Sequence, residues 1–218
     1  LKYTETHKAY YNDRGVEIPS ATTILKILNK PALVKWANYL GFKRQNVDDV
    51  LEETSKLGSL IHLLIEGIIS KKYILFIPID NIDRATVFKY LNNFFTWFNN
   101  NDIEPIFQEK EFVSELFGGT VDFYGKVNGK YTIVDFKTSK QIRLTMFIQL
   151  ALYTILLELR GYTVEQVGIV LANDKNNATK FIDRNSLEPY IKFAYKIVDF
   201  YHSYYNLNEQ TEWSEYIK

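Results

Sequence analysis

The chain of 218 residues contains no cysteine. Disulfides, cysteine-ligated zinc and iron–sulfur clusters are therefore excluded. It has no apolar run near the roughly 18 residues that a membrane span requires, and no signal-peptide pattern at its N-terminus. An intracellular, cytoplasmic protein with no membrane association is the expectation. It lacks Gly-x-x-x-x-Gly-Lys-Ser/Thr, and so lacks the phosphate-cradling loop of a nucleotide-driven motor. Internal repeats and low-complexity tracts are absent, and the formal net charge is zero.

The charge that is present is unevenly placed. Residues 1–44 hold eight basic side chains (Lys2, Lys8, Arg14, Lys26, Lys30, Lys35, Lys43, Arg44) and three acids (Glu5, Asp13, Glu17). A basic segment of this kind is either a surface for phosphates or an ordinary solvated face. A composition of 46% hydrophobic and 24% charged residues suits a soluble globular chain. A single domain over 1–218 is expected, with an N-terminal helical elaboration over 1–57 and a core over 58–218. The sixteen Tyr and fifteen Phe belong mainly to that core.

Periodicity sets the order of elements. Tyr10–Val16 reads as a strand, a polar turn and a return strand. Ser20 is placed to cap a helix over Ala21–Leu28, because its hydroxyl can accept an orphan backbone amide. Pro31 suits the first turn of a helix ending near Gly41. Helices follow from about Asp48 to Ile69 and from Ile82 to Phe98, then a strand from Pro105 to Val113. Asn128-Gly129 is the favoured pair for a type I′ hairpin turn, joining two strands within Gly118–Lys137. A helix over Thr145–Arg160 closes at Gly161. Strands over Val164–Leu171 and Lys180–Ile182 flank an Asn-rich turn, and Ser186 caps a last helix to about Tyr205. The order of helices, three strands, helix, two strands and helix predicts an α/β (α+β) fold: a mixed central sheet flanked by helices.

Within the hairpin, Asp135 and Lys137 share one strand face, and Asp122 stands across the turn. Carboxylates are hard oxygen ligands suited to Mg²⁺ or Mn²⁺. A nearby lysine could orient a water or offset charge on a phosphorane. Asp-x-Lys alone is also what a salt-bridged pair on a solvated strand looks like. Gly58, His62 and Glu66 recur every four residues and so line one helix face. His62 is there either as a hydrogen-bonded core residue or as an imidazole completing a Mn²⁺ site. Gln149, on a helix apolar on most sides, needs a partner for its amide. It would bond internally, or reach the carboxylates or the lysine; Tyr153 is one turn further on.

Taken together, Gly58-x-x-x-His62, Gly119-Thr120-Val121-Asp122, Asp135-Phe136-Lys137-Thr138 and Gln149-x-x-x-Tyr153 resemble the PD-(D/E)xK nuclease superfamily in its RecB-like branch. They occur in one order and span nearly half the chain. Pro19–Leu25, with Trp36 and Gly41, is similar to the phage exonucleases and the mitochondrial genome-maintenance exonuclease. The resemblance implies a restriction-endonuclease-like core and a Mg²⁺- or Mn²⁺-dependent deoxyribonuclease, using one or two ions. Exonuclease action on linear single-stranded DNA is favoured over that of a structure-specific endonuclease. By the resemblance His62, Asp122, Asp135 and the backbone carbonyl of Phe136 would hold metal. Asp122, Asp135 and Lys137 would be catalytic, and Gln149 and Tyr153 would support the site or touch substrate. Ser20 and Thr22, at a helix start, would be candidates for a DNA phosphate.

The chain departs from the branch that carries an iron–sulfur cluster, since it has no cysteine. Many superfamily members place a Glu before the first Asp. Glu109 and Glu111 are both available, alternation does not separate them, and either can be an exposed strand residue. DNA is the expected partner. With no motor of its own, the chain would need a helicase or a single-strand-binding or annealing protein for duplex substrates. The rival reading is a catalytically inactive DNA-binding module that retains the fold.

Overall fold

Runs of alternating and β-branched residues separate the helical stretches, and in the computed structural model they assemble into one five-stranded sheet with helices on both faces. The structure describes residues 9–28, 31–71, 84–173 and 179–210. The elements are β1 (Tyr10–Tyr11), β2 (Glu17–Ile18), α1 (Ala21–Leu25), α2 (Pro31–Phe42), α3 (Val47–Ile69) and α4 (Arg84–Asn99). After them come β3 (Ile103–Val113), β4 (Gly118–Val127), β5 (Lys130–Lys137), α5 (Leu144–Leu159), β6 (Gln166–Leu171), β7 (Thr179–Asp183) and α6 (Arg184–Gln210).

The sheet order is β3-β4-β5-β6-β7. Only β5 and β6 run parallel; the other neighbours are antiparallel. The parallel step needs a crossover, and α5 supplies it. As expected, the sheet is mixed and flanked by helices. Asn128 and Gly129 take φ of 52° and 80°, the doubly left-handed pair that a type I′ turn demands.

Two apolar layers enclose the sheet. On one face Val121, Tyr124, Ile133, Val167, Ile169 and Leu171 pack with α5, with α6, and with Ala21, Ile24 and Leu25 of α1. On the other, Phe123, Val134, Phe136 and Val170 meet Leu60, Ile61 and Ile65 of α3 and Leu91, Phe94 and Trp97 of α4. The N-terminal segment thus belongs to the same core as α5. Among the described residues no helix is long and apolar enough to cross a membrane.

Several boundaries differ from expectation: β3 begins at Ile103 rather than Pro105, and α6 runs on to Gln210 rather than about Tyr205. Helix α1 stops at Leu25, and Lys26, Ile27 and Leu28 continue with tighter bonds to the carbonyls three residues back. The β-branched run Thr22-Thr23-Ile24 gives the α-helix little intrinsic support. Helix α6 begins at Arg184, so Ser186 lies inside its first turn rather than capping it. The Arg184 guanidinium clamps Glu158 at 2.6 and 3.1 Å and Glu188 at 3.0 Å, drawing the first turn of α6 onto the end of α5. Strand β6 starts at Gln166 rather than Val164. Ile82 and the turn over 174–178 lie outside the described residues.

Candidate metal centre

The β4–β5 hairpin carries the first two carboxylates. Its last paired residues are Phe123 and Val134, so continuing the register sets Asp122 opposite Asp135. The ladder ends there because a side chain replaces it: Oδ2 of Asp122 accepts the backbone amide of Phe136 at 2.9 Å. Phe136, expected to offer a carbonyl to metal, is tied to the site through its N–H. Asp135 is 1% exposed. Its Oδ1 accepts from Nζ of Lys137 at 2.7 Å, as their shared strand face predicts.

Of the two glutamates that alternation left open, Glu109 is the one that stands beside His62. It has φ of 46°, a left-handed conformation that is uncommon for a residue other than glycine. Regular strands place residues of odd separation on opposite faces. Phe107 and Phe112 nevertheless belong to the same layer, and so do Val121 and Tyr124. Phe123, which regular alternation would put with Val121, lies in the opposite layer. Facing order is therefore reset on both strands around Glu109 and Asp122. The reset brings Glu109 to His62, while Glu111, equally exposed, pairs in register with Thr120 and is not in the group formed by His62, Glu109 and Asp122.

His62 reaches the hairpin from the middle of α3. Its Nδ1 lies 3.6 Å from Oε1 of Glu109 and 3.6 Å from Oδ2 of Asp122. Burial pushes the imidazole down, but the nearby Asp122 and Glu109 carboxylates outweigh it and hold His62 up at about 9. Burial raises Asp122, against the pull of His62 and Lys137. Asp135 is raised to about 6 by burial, with Lys137 opposing and the Asp122 charge adding. The Lys137 ammonium is raised by Asp135 and Asp122 in spite of its burial. Both carboxylates with a shift are thus harder to ionise than in water, because burial outweighs the two neighbouring cations.

A divalent cation fits these residues. One ligand atom each from His62, Glu109 and Asp122 lie within 4.8 Å of one another. Neighbouring ligands of an octahedral Mg²⁺ or Mn²⁺ stand about 3 Å apart, close to the 3.6 Å spacings observed. Imidazole with carboxylates suits Mn²⁺ better than Mg²⁺. Asp135 lies outside that trio. Its Oδ2 is buried and has no hydrogen-bond partner, a costly state for a carboxylate that a cation or a held water would relieve.

The remaining expected residues divide. Gln149 and Tyr153 are only 7% and 5% exposed, and the Gln149 amide donates to the Tyr153 hydroxyl at 2.7 Å. Gln149 therefore bonds within its own helix rather than to the carboxylates or the lysine. Tyr153 lies near enough for Asp135 and Asp122 to add to the burial that pushes its hydroxyl well above the ordinary value. Its ring also explains Gly119, where an added Cβ would come within 2.7 Å of it. Ser20 caps α1 as expected, accepting the Thr23 amide at 3.0 Å, and it exchanges a hydroxyl bond with Thr22 at 2.8 Å.

A cleft of about 750 Å³ opens on His62 and Glu109 and runs along α3 past Ser59, Gly58, Ser55 and Thr54, with Thr138 on the facing wall. Ser20 and Thr22 do not line it. Neither do the described basic residues of the N-terminal segment; Arg14, for one, pairs with Glu115 at 3.4 Å. Apart from His62 and Gly58, the described lining residues are hydroxyl-bearing, apolar or acidic. The signal that could have found Glu109 is absent from local sequence, since its backbone conformation is set by the sheet. The chain matches no protein-family model and no curated protein.

Proposed function

We propose that this chain is a Mg²⁺- or Mn²⁺-dependent deoxyribonuclease of the PD-(D/E)xK kind, RecB-like, with a restriction-endonuclease-like core, cutting linear single-stranded DNA from an end. The reading rests on one observation above all. His62 from α3, Glu109 from β3, Asp122 from β4 and the Asp135–Lys137 pair from β5 converge beside an open cleft. Two carboxylates and an imidazole can hold a cation, and a lysine bound to a buried Asp can serve an attacking water.

When bound, the cation supplies Lewis acidity toward the phosphoryl oxygen and lowers the pKa of its water. The protein's own groups do the rest. His62 and Glu109 define the open side of the centre, and Asp122 is fixed by the Phe136 amide. Asp135 holds the Lys137 ammonium at one position, where its charge offsets that building on the phosphorane. Glu109 joins the residues that the resemblance named, and Gln149 and Tyr153 act as supports without touching substrate. DNA is the proposed partner, with unwinding left to a helicase.

The test is digestion of labelled linear and circular single-stranded DNA with Mn²⁺, Mg²⁺ or EDTA, beside an Asp135→Asn variant. Metal-dependent loss of the linear substrate alone, absent in the variant, is the expected result. Cutting of the circle would replace the exonuclease with an endonuclease. Inertness toward linear, circular and duplex DNA would sink the reading.

A further inference from the structure

We infer that the sugar–phosphate backbone of the substrate runs against Gly58, and that this position is glycine in order to leave room for it. The inference rests on the nuclease reading and adds a positioning residue to it. Gly58 stands in the middle of α3 (Val47–Ile69), where glycine is among the poorest helix formers. A glycine in such a place needs a reason.

The fold does not supply one. At Gly119 and Gly118 a Cβ would strike the rings of Tyr153 and Tyr10 at 2.7 and 2.6 Å, and at Gly168 it would overlap Phe181. Those glycines are required by packing. At Gly58 the one atom near an added Cβ is Oγ1 of Thr138, at 3.5 Å, which is ordinary van der Waals contact. Its backbone is helical, so no left-handed conformation calls for glycine either. An alanine would fit the protein and strengthen the helix.

What Gly58 borders is the cleft. Ser55 and Ser59 flank it, His62 follows one helical turn on, and Thr138 faces it from the end of β5. One turn is about 5.4 Å, so a chain whose reacting phosphate sits at His62, Glu109 and Asp122 passes Gly58 within its next unit. The bare backbone there admits a bulky group to van der Waals contact. The hydroxyls of Ser59 and Thr138 can donate to phosphate oxygens in a cleft that no lysine or arginine lines among the described residues. Glu66 and Glu109 also line the cleft, so the positive charge that a polyanion needs would come from a cation at the metal centre and from Lys137.

Gly58→Ala tests this with readouts that move in opposite directions. Thermal unfolding of the intact variant should rise by about 2–4 °C. With Mn²⁺ and a linear single-stranded oligodeoxynucleotide, kcat/KM should fall about tenfold, the penalty of overfilling a close contact. Mn²⁺ affinity by calorimetry should stay unchanged, which separates lost room from a displaced His62. A lower unfolding midpoint would make the glycine structural and overturn the inference. So would an unchanged kcat/KM in the variant of an active wild type, with the nuclease reading left standing. A wild type inert toward DNA would remove both.

Discussion

The helices on the two faces of the sheet approach the same pair of carboxylates in opposite ways. Helix α5 is buried at every position from Met146 to Leu157. Helix α3 is buried at Leu60, Ile61, Ile65, Gly67 and Ile69, while its other side borders the cleft. Polar groups on α5 therefore satisfy each other, as Gln149 and Tyr153 do. The polar group that α3 sends inward, His62, meets acids at the edge of open space. One face holds the hairpin in place and the other gives access to it. Substitutions on α5 should then register mainly in stability, and substitutions on α3 mainly in ligand binding and rate.

The largest effect is expected between the two faces. Asp135→Asn should cut DNA hydrolysis by at least on the order of 10³-fold, with a native circular-dichroism spectrum. A variant retaining a tenth of the wild-type rate would remove Asp135 from the chemistry. On the open face, His62→Ala and Glu109→Gln should each weaken Mn²⁺ binding by about tenfold or more in calorimetry, whereas Glu111→Gln should leave it alone. Equal losses at Glu109 and Glu111 would mean that bulk charge, not the left-handed turn at Glu109, governs the site.

On the buried face, Tyr153→Phe leaves the Gln149 amide without its partner and should cost about 1–3 kcal/mol in urea unfolding. Adding Gln149→Leu should recover part of that loss, since replacing both partners removes the unpaired group. A double variant as unstable as the sum of the two singles would show that the pair is not coupled.

His62 also makes a pH signature. Its folded-state pKa of about 9 stands above the ordinary 6.5. The stabilisation it brings is therefore full below about pH 6.5 and lost as pH rises through 9. In protein freed of metal by a chelator, the unfolding midpoint should decline over that window, and His62→Gln should flatten the decline. The smallest effect belongs to the N-terminal cap: Ser20→Ala should cost about 1 kcal/mol without changing the rate. A rate loss would restore Ser20 as a substrate contact.

Where local chemistry decides, the sequence was sufficient to read the structure. The Asn128-Gly129 pair leaves the chain one good hairpin turn, and the period of two then fixes Asp135 beside Lys137. The largely apolar stretch before Glu158 announces a helix buried on most sides. Where distant groups decide, local signals failed. The beginning of α6 depends on Glu158, 26 residues before Arg184. The partner of Gln149 was open because several acceptors were conceivable and burial alone does not choose among them. Glu109 was the hardest: neither composition nor alternation reveals a left-handed residue in the middle of a strand, and only pairing with β4 makes that conformation worth its strain.

That same residue bears on how copies of the molecule meet. Strand β3 ends the sheet order, so its outer backbone groups form an eleven-residue edge on which another strand could build. A long regular edge invites such growth. This one is interrupted twice: Pro105 removes a donor at the point where the register slips, and Glu109 turns the backbone left-handed four residues later. Neither half offers a long straight run of evenly spaced partners. The left-handed turn that brings a carboxylate to His62 therefore also divides the β3 edge into short runs, which disfavours the addition of another strand on that side of the sheet.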